Sequence, residues 1–145
     1  MSGEENKELV RHVVDEVWNR GNFDAMDRYY ARDHVLRSVP PTGADYGRDE
    51  FKQVMRTIRG GFPDLSGHID LILAEGELVA YRLTSSGTHT RDYFGVEPTG
   101  KTVTLTEIYI DRIRDGKIVE TWFESFGQGY YYQLTGRPVP VKRTP

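Results

Sequence analysis

Acid–base chemistry is the function that the side chains of this sequence suggest first. Glu107 and Tyr109 lie two residues apart in a β-rich run, so both side chains project from the same face of a strand. A carboxylate beside Leu105 and Phe123 should have its pKa raised by desolvation, which suits a general base near neutral pH. His89 is the third candidate, because a histidine with a pKa of ~6.5 can serve as acid, base or donor to a carbonyl oxygen.

Each of these candidates also has a purely structural interpretation. Glu107 could be an interior acid tied to an arginine or a tyrosine, and His89 could lie at a strand end and bond to the backbone. His34 and His68 are weaker candidates. With no His-x-x-x-His spacing and no cysteine in the sequence, no metal site is expected.

A long β-hairpin must position Glu107 and Tyr109. Two β-rich runs, at 102–113 and 117–126, flank a turn signal at 114–116. This hairpin is the element on which the rest of the chain is expected to pack.

The register of the hairpin has two alternatives. A two-residue type I′ turn would place Glu107 opposite Glu124, setting two like charges face to face. A type I turn followed by a glycine bulge would place Glu107 opposite Phe123 and Tyr109 opposite Thr121, and we prefer it. It predicts these residues on the inner face: Glu107, Tyr109, Asp111, Val119, Thr121, Phe123 and Ser125. It predicts these on the outer face: Ile108, Ile110, Arg112, Ile118, Glu120, Trp122 and Glu124.

Two of the outer acids are therefore kept away from the inner face. Arg112 and Glu120 are expected to form a cross-strand pair. Glu124 could turn inward as a shifted catalytic acid only if a bulge near residues 125–127 redirects the chain.

Three helices are predicted to precede most of the strands. Ser2 and Glu5 have capping-box spacing, and the apolar residues after them recur at helical intervals. The predicted helices span residues 4–19, a shorter segment capped by Asn22 and running through Tyr30, and residues 49–59. Residues 34–38 could form a short strand before a loop at 40–43, and period-two patterns predict further strands over 67–73 and 78–86.

This order of elements predicts an α+β fold in a single domain over residues 1–145. Helices laid across the concave face of a curved antiparallel sheet leave a cone-shaped apolar pocket. The predicted pocket residues are Trp18, Tyr30, Val54, Ile58, Thr121 and Phe123. Tyr130, Tyr131 and Tyr132 could close its mouth or simply pack. The polar tail over 136–145 is expected either to lie on the surface or to be loose.

Composition excludes several classes of function. The chain has 145 residues, no cysteine and a net charge of -3 with both signs spread along it, which argues against a nucleic-acid surface. It has no signal-peptide pattern and no apolar run of membrane-spanning length. A soluble, cytoplasmic protein without a membrane partner is expected.

Six short motifs in order resemble the SnoaL-like polyketide cyclases of the nuclear-transport-factor-2-like superfamily. They are Trp-Asn-x-Gly at 18–21, Phe-Pro-Asp-Leu at 62–65, Gly-Thr-His-Thr at 87–90, Gly-Val-Glu-Pro-Thr-Gly-Lys at 95–101, Asp-Gly-Lys-Ile-Val-Glu at 115–120 and Gln-Leu at 133–134. The resemblance implies a cone-like α+β fold, a pocket with no required metal or organic cofactor, and dimerisation through the outer sheet face. Here that face carries Ile108, Ile110 and Trp122.

The resemblance also implies an aldol mechanism whose residues are replaced in this chain. Phe123 stands at the position of the family's general-base aspartate, and Phe126 at that of a second aspartate. Tyr109 stands where the family has an active-site histidine, Val54 where it has an asparagine, and Trp18 where it has a tyrosine. The fold expectation is unaffected by these differences, because fold and function are separable.

Three functional hypotheses follow. The first is an enzyme that acts on a small apolar carbonyl compound by cofactor-independent acid–base chemistry, with Glu107, Tyr109 and His89 as working groups. The second is a protein that binds a hydrophobic small molecule without turnover, which the replacement by Phe123 favours. The third is a dimeric interaction protein whose functional surface is the outer sheet face.

Overall fold

Helices cover one face of a six-stranded sheet in this protein. The computed structural model describes residues 2–40, 42–126 and 129–140. The helices are α1 (Gly3–Val13) with a π-helical continuation (Val14–Asn19), a 3₁₀ turn (Phe23–Ala25), α2 (Met26–Tyr29), α3 (Arg48–Gly61) and α4 (Tyr130–Thr135). The strands are β1 (Tyr30–Val39), β2 (Ala44–Gly47), β3 (Ser66–Glu75), β4 (Leu78–Thr88), β5 (Thr102–Arg114) and β6 (Lys117–Phe126).

The sheet order is β2-β1-β6-β5-β4-β3, which confirms the predicted α+β class. The expectation of a wholly antiparallel sheet is wrong at one place, because β1 pairs with β6 in parallel. These two strands are joined by most of the chain rather than by a tight turn, so their connection imposes no antiparallel geometry. All other neighbouring strands are antiparallel.

The first helix begins with the predicted capping box. The Ser2 hydroxyl accepts from the backbone N–H of Glu5, and the Glu5 carboxylate accepts from the backbone N–H of Ser2. The predicted span is confirmed, but its last six residues are π-helical. The predicted Asn22 cap is wrong, because the Asn22 amide donates to Glu16 and the segment it precedes is a 3₁₀ turn.

The hairpin turn is the two-residue type I′ alternative and not the preferred one. Asp115 and Gly116 both have positive φ, at 49° and 74°, as this turn requires. Arg114 pairs with Lys117 directly beside it. The Asp-Gly pair therefore decides the turn itself.

A β-bulge two residues further along then shifts the register away from both alternatives. Arg112 pairs with Glu120 while Ile113 pairs with Ile118, so Val119 is the extra residue.

Beyond the bulge, Tyr109 lies opposite Phe123 and Glu107 opposite Ser125. Both predicted sets of partners are thus wrong, and Glu107 does not face Glu124.

The predicted inner and outer faces of β5 and β6 are correct in spite of this shift, except at the bulge. Asp111 and Thr121 are buried on the inner face with Glu107 and Tyr109, as predicted. Ile118 is fully buried, whereas Val119 is half-buried, so their predicted faces are wrong. Beyond the bulge, the partner of Tyr109 is Phe123 instead of Thr121, which the preferred alternative predicted. This shift of two residues is even, so the predicted alternation of faces is preserved there.

The structure adds elements that were not predicted. Strand β2 pairs with the end of β1, and α4 follows β6. In the tail, Val139 is half-buried and lines a cavity. Residues 141–145 of the tail and Pro41 of the predicted loop lie outside the described residues. No helix in the described part of the chain is long and apolar enough to cross a membrane.

Candidate functional site

An apolar chamber of about 220 Å³ lies between the helices and the inner face of β4, β5 and β6. Its walls combine aliphatic side chains with seven aromatic ones, which are Trp18, Phe51, Tyr93, Tyr109, Phe123, Tyr130 and Tyr131. A few polar side chains interrupt this surface, and Glu107 is the charged one among them. Such a concave apolar site with few polar groups is the usual form of a small-molecule site.

A second cavity of about 470 Å³ adjoins the chamber and forms its vestibule. The two share walls made by Val39, Pro40, Val54, Ile58, Tyr93 and Val139. Val54 and Ile58 project from α3, and Val139 comes from the chain after α4. The vestibule therefore lies directly beside the chamber.

Glu107 is held in place by two hydroxyl groups. The Tyr109 hydroxyl donates to Glu107 Oε1 at 3.0 Å, and the Ser125 hydroxyl donates to Oε2 at 2.9 Å. Tyr109 follows Glu107 by two residues on β5, and Ser125 is its partner across the hairpin. The observed register therefore supplies the second hydroxyl.

Burial raises the pKa of the Glu107 carboxyl, although the hydrogen bonds from Ser125 and Tyr109 act in the opposite direction. The residue is 8% exposed. A carboxylate with a raised pKa is a stronger proton acceptor once ionised, so the site can take a proton from a bound compound.

Aromatic rings fix the position of Tyr109. Its ring stacks on Phe123 with centroids 5.7 Å apart and on Tyr81 at 5.3 Å. Trp18 meets the same ring edge-on at 6.0 Å. Contacts of this kind add to simple area burial and limit the motion of the phenol.

The π-helical turn places Trp18 in the chamber wall. The carbonyl groups in the last turn of a helix have no helical partners, and here Arg59 Nη1 donates to the Trp18 carbonyl at 2.8 Å. The Asn19 side chain bonds to both backbone groups of Gly67 on β3. These contacts anchor the end of the helix against the sheet. π turns often occur at functional sites.

Ser85 and Tyr130 form a hydroxyl pair in the chamber that the sequence analysis did not assign. Their oxygens lie 2.5 Å apart, and the side chains are 2% and 6% exposed. The alternation along β4 places Ser85 on the same face as Tyr81 and Leu83, so periodicity could have identified it. The contact with Tyr130 needed the tertiary structure, because α4 was not predicted.

His89 is not brought to the chamber. It is fully buried, its ring lies 5.4 Å from Phe62, and its Nδ1 accepts from the backbone N–H of Thr99 at 3.1 Å. Its backbone N–H donates to the Lys101 carbonyl. Among the residues lining the described cavities, His89 does not occur.

Tyr30 and Thr121 also lie away from the chamber lining, in a separate buried polar cluster. Asp111 Oδ1 accepts from the Thr121 hydroxyl at 2.7 Å, and Oδ2 accepts from the Tyr81 hydroxyl at 3.0 Å. His34 Nε2 lies 2.9 Å from the Thr121 hydroxyl, and Tyr30 packs edge-on against His34.

Both ionisable groups of this cluster are shifted by burial. Burial raises the pKa of Asp111 to about 6, while hydrogen bonds from Thr121 and Tyr81 oppose the shift. Burial, aided by the charge of Arg48, lowers the pKa of His34 to about 4. Asp111 is an inner-face acid that sequence reasoning placed correctly but did not consider for chemistry.

The remaining candidates lie on the outside. Glu124 is exposed, and the β5–β6 pairing continues without a further bulge to Phe126, so Glu124 stays on the outer face; Gly127 lies outside the described residues. Arg112 and Glu120 form the predicted outer pair at 3.3 Å. Within the described residues, no group of three or more His, Asp or Glu side chains could hold a metal ion.

Similar proteins of known structure share this fold. AclR, a candidate hydroxylase from Streptomyces galilaeus, is 28% identical, with 97% of this chain and 87% of that chain covered and a TM-score of 0.82. IdmH, a candidate polyketide cyclase from Streptomyces antibioticus, is 28% identical over 83% of this chain and 91% of that chain, with a TM-score of 0.73.

A third structure, a candidate polyketide cyclase from Acidithiobacillus ferrooxidans, is 26% identical over 94% of this chain and 99% of that chain, with a TM-score of 0.76. Comparison with curated proteins gave no match. The family described as SnoaL-like polyketide cyclase matches residues 8–134, which confirms the resemblance seen in the six motifs. With most of its length matched in this way, the chain belongs to the SnoaL-like polyketide cyclase family.

Proposed function

We propose that this protein is an enzyme that moves a proton at the carbon next to a carbonyl group in a small, mostly apolar compound. The observation that carries the proposal is the buried Glu107 carboxylate in the wall of an aromatic chamber. A carboxylate is costly to bury, and one with a raised pKa beside a cavity is a functional candidate.

In the proposed step, one Glu107 oxygen takes the proton from the α-carbon. The C–H electron pair becomes the C=C bond of an enolate, and the carbonyl π electrons move to oxygen. The enolate carbon then attacks a second carbonyl of the same molecule, which forms a C–C bond and closes a ring. The π electrons of the attacked carbonyl move to its oxygen, and protonated Glu107 gives its proton to the resulting alkoxide. In an isomerisation, protonated Glu107 would instead return its proton to another carbon. Neither route needs an oxidant or a reductant.

Tyr109 and Ser125 position the base in this mechanism. Their hydroxyls hold both Glu107 oxygens, which limits rotation of the carboxylate. Fixed orientation of a catalytic group lowers the entropic cost of reaching the transition state. The aromatic walls keep water away and leave the carboxylate more basic than in solution.

The shape of the cavities supports an aromatic, fused-ring substrate. Drug-sized ligands occupy sites of about 300–1,000 Å³, so the chamber alone suits the reacting rings. The vestibule would hold the rest of the molecule. That IdmH and the Acidithiobacillus protein are both described as candidate polyketide cyclases supports a polyketide as substrate.

A binding protein without turnover is the second candidate. Phe123 lines the chamber at the position where the resemblance implies the family's aspartate. An aromatic wall at that position favours binding over proton transfer. The enzyme proposal therefore depends on Glu107 as the replacement base.

A bicyclic aromatic ketone, 2-tetralone, can separate these two candidates. NMR would follow deuterium exchange at its α-carbon in D₂O, and calorimetry would measure its binding. We expect Glu107→Gln to lower the exchange rate by about 10²-fold or more, as for loss of a general base, while binding is kept. The matched control Glu124→Gln changes an exposed acid on the opposite face and should leave both quantities unchanged. Binding without exchange in the unaltered protein supports the binding protein instead.

We also propose that the partner on the outer sheet face is a second copy of this chain. Leu71 and Leu73 are 66% and 70% exposed, and Ile108 and Ile110 are each 37% exposed. Leu73, Ala80, Ile110 and Trp122 form one continuous row across the sheet. Contiguous exposed apolar residues of this kind mark association surfaces, and a symmetric pair can cover the row with its own copy.

A further inference from the structure

The Ser85–Tyr130 pair has one hydroxyl hydrogen that the contact between the two residues does not use. Two hydroxyl groups carry two hydrogens, and the 2.5 Å contact between them uses one. Neither hydroxyl has another hydrogen-bond partner within the described residues. Both side chains line the chamber, so a ligand atom there can accept the second hydrogen.

The other hydroxyls beside Glu107 are already committed. Tyr109 and Ser125 each donate to the Glu107 carboxylate. A substrate carbonyl that faces Glu107 must therefore find its donor elsewhere in the chamber. His89, one of the groups that the sequence offered as a donor to a carbonyl oxygen, does not reach the chamber lining.

The position of Ser85 suits a group that acts opposite Glu107 on one substrate. Leu83 lies directly across from Glu107 on the neighbouring strand, and Ser85 is the next residue along that face. The backbones of diagonal neighbours of this kind are about 7–8 Å apart in an antiparallel sheet, and both side chains line the chamber. The α-carbon and the oxygen of a ketone are two bonds apart, so one small ketone in the chamber can contact both groups.

The charge of Glu107 acts on the Tyr130 hydroxyl, whereas it is not among the causes of the pKa shift of the neighbouring Tyr93. Burial raises the pKa of Tyr130, and the charge of Glu107 contributes to that rise. The pKa of Tyr93 is raised to about 12 by burial alone. Phe62 packs against the Tyr130 ring at 5.0 Å, which holds the hydroxyl towards Ser85.

We propose that the Ser85–Tyr130 hydroxyl pair is the catalytic electrophile of this site, holding the carbonyl oxygen of the substrate and donating a hydrogen bond to the enolate oxygen. The assignment rests on the proposed acid–base function of Glu107. As Glu107 removes the α-proton, negative charge develops on the carbonyl oxygen, and a donor fixed there before the reaction stabilises the transition state. The hydroxyl hydrogen stays bonded to its own oxygen, so the proton count of the step is unchanged.

The double variant Ser85→Ala/Tyr130→Phe is the sharpest test. Either single variant leaves one hydroxyl with its hydrogen, whereas the double variant removes both. It also leaves no buried hydroxyl without a partner, so the fold should be kept. We expect it to lower the rate of 2-tetralone α-proton exchange by about 10²–10³-fold, as for loss of an oxyanion donor.

Ser86→Ala and Tyr29→Phe are the matched controls. Each substitution removes only a hydroxyl, and neither residue lines the chamber or the vestibule. We expect each to leave the exchange rate within about twofold of the unaltered protein. A large loss in Tyr93→Phe with no loss in the double variant would assign the carbonyl oxygen to Tyr93 and overturn the proposal.

An infrared measurement separates this proposal from the function of Glu107. The carbonyl stretch of bound 2-tetralone should move to lower frequency in the unaltered protein and in Glu107→Gln, and return towards its value in an apolar solvent in the double variant. If exchange is absent from the unaltered protein but this shift follows the pair, the pair binds the carbonyl and the base assignment fails. If Glu107→Gln abolishes exchange while the double variant keeps both exchange and shift, the pair assignment fails and Glu107 stands.

Discussion

The Tyr109 hydroxyl donates a 3.0 Å hydrogen bond to Glu107 Oε1, although the two residues are only two positions apart on one strand. Such neighbours share a face, so this hydrogen bond needs no other element of the structure. The residues that hold the two side chains in place come from other strands. The stacked rings of Tyr81 and Phe123 hold the phenol, and Ser125 holds the other carboxylate oxygen.

The hydrogen bond from Tyr109 should influence the pH dependence of the reaction. Burial raises the pKa of Glu107, and the Tyr109 bond favours its ionised form and so lowers that pKa. A general base works when ionised, so the exchange rate should increase with pH through the pKa of Glu107. Tyr109→Phe removes the bond, and the midpoint of the pH–rate profile should then move to higher pH. Tyr131→Phe is the control, and a midpoint that moves downward in Tyr109→Phe would contradict the role of Tyr109.

Asp111 should make folding stability depend on pH. The pKa of Asp111 is raised from 3.8 to about 6 in the folded protein, so the folded state binds the extra proton between these values. The ionised carboxylate should therefore cost about 3 kcal/mol of unfolding free energy above pH ~6, a cost that is absent below pH ~4.

The comparison with Asp111→Asn isolates this effect. Urea unfolding of both proteins between pH 4 and pH 7 gives the difference in their unfolding free energies. The other titrating groups, including His34, are present in both proteins, so their contributions to the pH dependence largely cancel. The unaltered protein should lose about 3 kcal/mol relative to Asp111→Asn as the pH rises through this window. If this difference in unfolding free energy does not change with pH, folding does not raise the pKa of Asp111, and the prediction is wrong.

Passage between the vestibule and the chamber should depend on Val54. This half-buried residue of α3 lines both cavities. Val54→Phe should fill the shared wall and weaken binding of 2-tetralone by at least tenfold, measured by calorimetry, because added volume in a narrow site displaces the ligand. Gln53→Phe, which adds a ring to the vestibule alone, should change affinity much less. Equal effects of both variants would argue against entry between these cavities.

Association of two chains should depend on the apolar row of the outer sheet face. Ile110→Lys places a charge in that row, which a dimer would have to bury without a partner. Light scattering after size-exclusion chromatography should show a dimer for the unaltered protein and a monomer for the variant. Thr104→Lys, an exposed position on the same strand and face, is the control and should stay dimeric. A monomeric unaltered protein at micromolar concentration would contradict the proposal.

Local patterns in the sequence determined much of the fold. The spacing of Ser2 and Glu5 predicted a helix start, and both reciprocal bonds are present. Alternation along β5 and β6 placed Glu107, Tyr109, Asp111 and Thr121 on the inner face. These features depend on neighbours within a few residues, which is why the sequence reveals them.

Tertiary packing decided which inner-face groups meet. The bulge at Val119 moved Ser125 opposite Glu107, and Ile118 is fully buried beside it. A turn dipeptide cannot predict a bulge, since the bulge reflects how the strand packs against the core.

Tertiary packing also decided which residues form the candidate site. Ser85 meets Tyr130 only because α4 folds back over the sheet, and His89 is drawn to Thr99 instead of the chamber. The sequence by itself determined the family, the α+β class and the face on which Glu107 lies. Only the tertiary structure decided which hydroxyls surround the chamber, because contacts between segments distant in sequence are set by packing of the whole chain.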